Sequence, residues 1–314
     1  MNSLPAGTWP VMLTPFDENR NIDFNGLKDL IDFYLDNNVS GLFATCGSSE
    51  ISMLSRPEII ELCKATVKQT NGRVPIVAGI PKCDTIAQQA ELIKQISGEG
   101  VDCCVIMACY IASQDETEEQ WISEVESLLE MTENIPLGIY ECPHPYHRLL
   151  PPETLKWIAQ TGRFLFHKDT CCNIKDINNK LEYCKDTNLS FYNAHTGSLL
   201  DSMKNGAKGY CGVGINFYPE LYNWILDNYD SQPHLAEEIA DFLSNAEGIF
   251  GSEYPPSSKV FLKMRGLEIS PVCRVSETAV SDQMTQNLRL LLEKTNYYIQ
   301  KADTQSCTPA NIGA

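Results

Sequence analysis

The sequence has few basic residues and no long hydrophobic run. Its 24 lysines and arginines stand against 41 aspartates and glutamates, which gives a formal charge of -17. A strongly negative protein repels phosphate backbones and anionic lipid headgroups. No apolar run approaches the ~20 residues that a bilayer-spanning helix needs. We therefore expect no nucleic-acid and no membrane partner, although a local pocket can still hold a small anion.

The 13 cysteines lack the spacing of a zinc site or of a secreted disulfide framework. Their number is odd, and no Cys-x-x-Cys pair occurs. The first residues, MNSLPAGTWPVM, show no basic stretch followed by an apolar one, so they lack the pattern of a secretory signal. These features predict reduced, mostly buried thiols, a cytoplasmic location and no metal.

Eight short apolar segments alternate with amphipathic ones along most of the chain. The apolar segments are nearly continuous, as is typical of parallel strands that are buried on both faces. They span residues 9–14, 41–46, 75–80, 103–109, 136–142, 164–170, 189–194 and 208–215. Eight strand–helix units in a row predict an α/β fold, a (β/α)8 TIM barrel.

The remaining residues carry helical patterns that are broken by prolines. Pro255, Pro256 and Pro271 separate them into individual helices. We predict a barrel over residues 1–230 and a C-terminal helical region over residues 231–314. Such a region covers one side of a barrel or builds an oligomer contact.

Lys168 is the most informative of the polar residues at the predicted strand ends. The active site of such a barrel lies at the C-terminal ends of its strands. Lys168 follows Phe-Leu-Phe-His in the sixth strand, so its amine is predicted to be buried. A buried neutral amine can attack a ketone and form a Schiff base. The alternative is a lysine that reaches solvent or pairs with Asp169.

Tyr140 ends the neighbouring strand, and a turn with two serines follows the second strand. A phenol beside an imine-forming lysine can move protons and hydrogen-bond a substrate oxygen, whereas a lone tyrosine can also simply edge the core. Ser48 and Ser49 lie in a turn that either binds a carboxylate or caps a helix. The Gly-x-x-Gly-x-Gly pattern of the eighth strand indicates close backbone approach rather than a nucleotide site.

Six segments together resemble one family. They are LTPFDENRNID (13–23), GLFATCGSSE (41–50), VIMACY (105–110), IYECP (139–143), HKDT (167–170) and NGAKGYCGVGIN (205–216). Over nearly its whole length the chain resembles the dihydrodipicolinate synthase / N-acetylneuraminate lyase superfamily of pyruvate-dependent class I aldolases. The segments are specific for the superfamily and much less specific for one reaction within it.

The resemblance implies roles for individual residues. Lys168 matches the Schiff-base lysine, Tyr140 the catalytic tyrosine, and Tyr110 a tyrosine that crosses a dimer interface into the neighbouring site. The turn Gly47-Ser48-Ser49-Glu50 matches the turn that binds the carboxylate of pyruvate. We expect the second substrate at a mouth built from Tyr110, His144, Arg148, His195 and Thr196, and we also predict Cys211 to be a substrate-binding residue. The covalent imine at Lys168 is the electron sink, so no cofactor is expected.

The chain departs from the family pattern where substrates are distinguished. Gly47 replaces a Ser or Thr hydroxyl that relays protons, and Ser49 replaces a glycine. Pro145 replaces the arginine with which the synthases bind the carboxylate of their second substrate. Arg148 follows three residues later and is close enough to compensate. Thr196 and the glycine after it replace an acidic pair of the sialic acid lyases. Neither named activity therefore has its specificity residues in place.

We therefore expect an enzyme that joins or cleaves a 2-oxo acid such as pyruvate and an aldehyde through an imine at Lys168. Its alternatives are a dehydratase of 2-keto-3-deoxy sugar acids that uses the same imine, and a catalytically weak protein that binds 2-oxo acids. The resemblance also implies a homodimer or homotetramer.

Overall fold

The computed structural model describes residues 3–306 and contains one sheet of eight parallel strands. They are β1 Gly7–Thr8, β2 Leu42–Phe43, β3 Ile76–Gly79, β4 Cys103–Met107, β5 Leu137–Tyr140, β6 Phe164–Asp169, β7 Ser190–Asn193 and β8 Gly209–Tyr210. The strand order is β1-β8-β7-β6-β5-β4-β3-β2, and a parallel bridge between Val11 and Phe43 joins the two outer strands. The sheet therefore closes, and the predicted (β/α)8 barrel is confirmed.

Helices follow the strands and cover the outside of the barrel. They are α1 Phe24–Asp36, α2 Arg56–Thr70, α3 Ile86–Gly98, α4 Ala108–Ile111, α5 Glu118–Met131, α6 Pro152–Gln160, α7 Ile174–Cys184, α8 Leu199–Lys204 and α9 Pro219–Asn228. The start of α2 shows why these helices form where the sequence predicts them. The Ser55 hydroxyl accepts a hydrogen bond from the N–H of Glu58, and the Glu58 carboxylate accepts one from the N–H of Ser55. This capping box satisfies two free N–H groups at once.

The first strand is shorter than its apolar segment and lies before it. Trp9 is the last residue here whose N–H donates to β8, at 2.9 Å from the carbonyl of Tyr210. Beyond it the chain turns to the other neighbour, because the Phe43 N–H donates to the carbonyl of Pro10 and the Met12 N–H donates to the carbonyl of Phe43, each at 3.0 Å. The apolar segment 9–14 therefore closes the barrel instead of forming a long strand.

The eighth strand also ends early, because its glycines make room for tyrosine rings. A Cβ on Gly212 would lie 2.1 Å from the hydroxyl oxygen of Tyr210, and one on Gly214 would lie 2.1 Å from that of Tyr222. The two rings stack with their centroids 4.3 Å apart. The expectation that all these glycines lie inside the strand is wrong for Gly212 and Gly214, although close approach does explain both.

The C-terminal region consists of α10 Pro233–Phe250, α11 Pro256–Met264 and α12 Asp282–Ser306. Its apolar side chains form a core with those of α9, built around Phe217, Leu243 and Phe261. Residues 1–2 and 307–314 of the two predicted regions lie outside the described residues, and the boundary at residue 230 stays a prediction. None of the helices within residues 3–306 combines the length and apolar character that a membrane crossing requires.

Candidate active site

Lys168 lies inside the barrel at the C-terminal end of β6. Side chains alternate between the two faces of a strand, so residue 168 points inward while its neighbours point toward the helices. The Lys168 side chain is buried, at 4% exposure. Its Nζ lies 4.2 Å from the centroid of the Tyr140 ring and 5.7 Å from that of Phe43. The structure thus brings together the two residues that the sequence paired.

Three lysines are buried in the described part of the chain, and only Lys168 lacks a carboxylate partner there. Lys180 Nζ lies 2.6 Å from an oxygen of Glu141 and 2.6 Å from one of Asp169. Lys259 Nζ lies 3.2 Å from Glu50 Oε1. An amine held by carboxylates is fixed as an ammonium and cannot attack a carbonyl. Lys168 is therefore the buried amine that is free to react.

A cluster of ionisable side chains lies behind Lys168, between β5, β6 and the helices. Glu141, His167 and Asp169 are close enough together to hold a metal ion. The Nζ of Lys180 bonds both carboxylates, so its ammonium takes the place of a cation. Burial alone raises the pKa of Glu141, but His167 and Lys180 hold it down at about 2. The cluster is a buried salt bridge on the helix-facing side of the strands.

A cavity of about 940 Å³ opens above Tyr140 at the C-terminal face of the barrel. Its wall is mainly apolar and includes Met107, Val213 and Pro255. The cations Lys82 and Arg56 also line it, whereas its lining within residues 3–306 includes no aspartate or glutamate. The cavity therefore presents positive charge on a strongly negative protein, as a small anionic substrate requires.

The turn after β2 contributes two residues to the cavity wall. Gly47 and Ser48 line the cavity together with Tyr254. The Ser49 hydroxyl instead lies inside the turn, where it accepts a bond of 2.6 Å from the N–H of Cys46. Ser49 is thus a structural residue of the turn, and the structure does not place its hydroxyl on the cavity wall.

Glu50 ties this turn to the C-terminal region. Its carboxylate, 1% exposed, pairs with Lys259 and accepts bonds from the N–H groups of Arg274 and Val275 at 2.5 and 2.8 Å. These contacts hold Glu50 in a left-handed conformation with φ 60°, which costs a non-glycine residue roughly 1–3 kcal/mol. The C-terminal region therefore fixes the shape of the predicted carboxylate turn.

We expect Glu50→Gln to lower the free energy of unfolding by about 3–5 kcal/mol, because it leaves the ammonium of Lys259 buried without a counter-ion. Urea denaturation of the purified protein measures this change. The matched control is Glu277→Gln, whose wild-type side chain is 87% exposed, and it should stay within about 0.5 kcal/mol of wild type. A loss below about 1 kcal/mol in Glu50→Gln would contradict the role assigned to the pair.

Tyr110 and His144 both line the cavity. Tyr110 lies on α4 and lines both this cavity and a second one of about 620 Å³ beside it. Burial raises the pKa of Tyr110 to about 12. The carbonyl of His144 accepts a bond of 3.1 Å from the thiol of Cys109. Tyr110 is therefore placed at the edge of the site, next to an open surface.

The structure places Arg148 and Thr196 away from the mouth. The Arg148 guanidinium donates to Glu118 of α5 at 2.8 Å, and its side chain is 10% exposed. Thr196 is buried and shares hydrogen bonds with the hydroxyls of Tyr210 and Tyr222 and with Glu247 of α10. Both side chains therefore connect the barrel to its outer helices.

His195 and Cys211 also lie off the cavity wall. The Nδ1 of His195 lies 3.0 Å from the Ser198 hydroxyl, which turns the ring toward the loop after β7. Cys211 is fully buried inside the barrel, close enough to Lys168 to feel its charge, and burial raises the pKa of its thiol to about 12. Cys211 is thus a neighbour of the lysine rather than of the mouth.

Sequence reasoning missed three side chains that the structure brings to the site. Phe43 packs against the Lys168 amine, and Tyr254 and Val275 enter the cavity from the C-terminal region. Tyr254 also accepts a bond of 2.8 Å from the amide of Asn216 at the end of the barrel. The sequence predicts only a break between helices at Pro255 and Pro256, because no local pattern shows that the tyrosine before them enters a cavity.

A buried lysine without a counter-ion, beside a tyrosine at the C-terminal end of barrel strands, is the arrangement of an enzyme that works through a Schiff base. A family model described as the dihydrodipicolinate synthetase family matches residues 4–295. The chain belongs to this family, and the predicted class, a Schiff-base lyase or aldolase, is confirmed.

Individual relatives support the same family assignment. The chain is similar to the 4-hydroxy-tetrahydrodipicolinate synthase of Oceanobacillus iheyensis, with 27% identity over 286 residues, which cover 90% of this chain and 94% of the relative. The enzyme of the same name from Bacillus velezensis is 27% identical over 263 residues, which cover 83% and 89%.

Solved structures confirm the fold. Dihydrodipicolinate synthase DapA-2 of Bacillus anthracis superimposes with a TM-score of 0.84 at 20% identity, covering 93% of this chain and 99% of that one. A prophage protein of E. coli K12 from the dihydrodipicolinic acid synthase family, solved in complex with pyruvate, has a TM-score of 0.84 at 19% identity and covers 93% and 98%.

Proposed function

We propose that this protein joins or cleaves pyruvate, or another small 2-oxo acid, and an aldehyde through a covalent imine at Lys168. The observation that carries the proposal is the environment of the Lys168 amine. It is buried, it lies against the ring of Tyr140, and it has no carboxylate partner in the described part of the chain. Such an amine can attack the ketone carbon, and the resulting imine withdraws electrons from the bond that forms or breaks.

The carboxylate of the 2-oxo acid would lie at the turn of Gly47 and Ser48. A tight turn after a strand offers N–H groups to an anion, and the Ser48 hydroxyl lies on the cavity wall. Lys82 and Arg56 add positive charge to the same cavity. The prophage protein of E. coli K12 was solved in complex with pyruvate, which supports a 2-oxo acid as the substrate proposed here.

The second substrate would occupy the outer part of the cavity, between Tyr110 and His144. Pro145, Val213 and Val275 make this part apolar. No carboxylate is available among the described lining residues to bind the hydroxyls of a sugar, and the guanidinium of Arg148 is paired with Glu118. The cavity therefore favours an aldehyde with an apolar body over a polyhydroxylated one.

A screen of pyruvate aldols tests the proposal and separates it from its alternatives. We expect turnover of at least one apolar aldol, with N-acetylneuraminate and with aspartate semialdehyde plus pyruvate both poor. A missing charged hydrogen bond costs about 1.5–3 kcal/mol, or roughly ten- to more than a hundredfold in kcat/KM. A kcat/KM above ~10⁴ M⁻¹s⁻¹ for either named substrate would contradict the specificity. Turnover of 2-keto-3-deoxy sugar acids alone would identify the dehydratase, and pyruvate binding without turnover the weak paralogue.

We further propose that the active unit is a dimer, alone or within a tetramer, and that it works in the cytoplasm. Tyr110 lies where the site meets the second cavity, and its hydroxyl forms no hydrogen bond with the other residues that the structure describes. Every described cysteine is a free thiol, which supports a reducing compartment.

A further inference from the structure

The turn after β2 brings little hydrogen-bonding capacity to the cavity from its side chains. Gly47 has no side chain, and a Cβ placed on it would meet no atom within 4 Å. The hydroxyl of Ser49 lies inside the turn, 2.6 Å from the backbone nitrogen of Cys46. Of residues 47–49, only Ser48 therefore lines the cavity with a hydroxyl side chain. A carboxylate has two oxygens that accept several hydrogen bonds, so it needs further donors.

Tyr254 brings a further hydroxyl to this cavity from the C-terminal region. It lies just before α11, is half-buried, and lines the cavity together with Gly47 and Ser48. Burial raises the pKa of Tyr254, and Ser48 opposes this rise because it lies close to the hydroxyl. The phenol therefore keeps its proton at neutral pH, beside the turn that is proposed to hold the carboxylate.

The amide of Asn216 decides the direction in which the Tyr254 hydroxyl can donate. Asn216 is fully buried, and its Oδ1 accepts a bond of 2.6 Å from the hydroxyl of Tyr34. Its Nδ2 donates to the carbonyl of Val11 at 2.9 Å and to the hydroxyl oxygen of Tyr254 at 2.8 Å. The Val11 carbonyl can only accept, so the amide cannot turn round without losing that bond. Tyr254 is therefore held as an acceptor toward Asn216.

This bond leaves the proton of the Tyr254 hydroxyl available. A phenol carries one proton and two lone pairs, and the bond from Asn216 uses a lone pair. None of the hydrogen bonds within residues 3–306 takes the proton of Tyr254. The described lining of the cavity includes no aspartate or glutamate that would compete for it. The O–H group can therefore donate to an acceptor that enters the cavity.

We propose that Tyr254 donates a hydrogen bond to the carboxylate of the 2-oxo acid, beside Ser48, and is a further substrate-binding residue. The inference rests on the function proposed above and adds to it a residue from outside the barrel strands. Asn216 is then a positioning residue, which acts through Tyr254. The carboxylate keeps its charge while the neighbouring ketone reacts, so the contact holds the substrate equally before and in the transition state.

Such a contact predicts that Tyr254→Phe weakens binding without slowing the chemical step. The variant loses one oxygen atom and keeps the ring. Wild type and variant are incubated with increasing pyruvate, quenched with borohydride at intervals, and the adduct on Lys168 is measured by mass spectrometry. We expect the half-saturating pyruvate concentration to rise roughly tenfold or more. The rate of adduct formation at saturation should stay within about threefold of wild type.

Acetone separates this contact from a general effect on the fold. It is a ketone without a carboxylate, so its adduct should form at the same rate, within about twofold, in wild type and in Tyr254→Phe. Tyr297→Phe is the matched control, because it makes the same substitution at a side chain of α12 that is 55% exposed. It should leave the reactions of pyruvate and of acetone unchanged.

Two results would overturn the role of Tyr254 while leaving the imine intact. One is a Tyr254→Phe variant that is half-saturated at the wild-type pyruvate concentration. The other is an equal loss with pyruvate and with acetone, which would show a structural role only. If Tyr254→Phe does not fold, Asn216→Asp decides by the same two comparisons, because a carboxylate at residue 216 accepts the phenol proton and withdraws it from the substrate. A wild-type protein that forms no adduct with pyruvate would instead refute the proposed function.

Discussion

Lys168→Arg should abolish the covalent adduct with pyruvate. A guanidinium stays protonated and cannot attack a ketone, although it keeps the positive charge. Wild-type protein treated with pyruvate and then borohydride should carry a stable pyruvyl group on the peptide that contains Lys168. The variant should carry none, and its turnover of any pyruvate aldol should vanish with the adduct.

Lys175→Arg is the matched control for this experiment. Lys175 is exposed on α7 shortly after β6, so the same substitution there leaves the interior of the barrel untouched. Its adduct should form as in wild type. A pyruvyl group on Lys180 or Lys259, or no adduct at saturating pyruvate, would refute the mechanism, because both of those amines are held by carboxylates.

Tyr110→Phe should lower activity by ~10²–10⁴-fold, the usual range for a lost acid–base group. Tyr110 reaches the edge of the cavity from α4, and burial already raises its pKa to about 12. In a dimer its hydroxyl would complete the neighbouring site, so two different inactive variants should complement each other. Steady-state turnover of the aldol identified in the screen measures both effects.

The complementation uses Tyr110→Phe and Lys168→Ala, each nearly inactive alone. Unfolded and refolded together in equal amounts, about half of the symmetric pairs should be hybrids. Each hybrid contains one site with an intact lysine from one subunit and an intact tyrosine from the other. Activity should therefore recover to roughly a quarter of wild type. A mixture that stays inactive while refolded wild type recovers would show that Tyr110 does not act across the interface.

The strand positions could be predicted because both faces of a barrel strand are buried, which leaves a continuous apolar segment in the sequence. The proximity of Lys168 and Tyr140 could also be predicted, because neighbouring parallel strands end at the same edge of the sheet. The end of β8 could not be predicted, because it depends on tyrosine rings packed against glycines. Those contacts have no local pattern.

The residues at the mouth of the cavity were harder to predict than Lys168 and Tyr140 inside the barrel. Arg148 and Thr196 are turned away by Glu118 and Glu247, which lie 30 and 51 residues from them in the sequence. Tyr254 enters the cavity only because the C-terminal region docks on the barrel. Charge alone indicates that a residue needs a partner, and the fold decides which partner it finds.

The bonds that Glu50 makes with the backbone around residue 274 span 224 positions of the chain. A ribosome that adds about 5–20 residues per second needs roughly 10–45 s to travel that distance. During this time the nascent barrel contains a carboxylate whose ammonium and N–H partners have not been synthesised. The turn after β2 therefore takes its final shape only when translation is nearly complete.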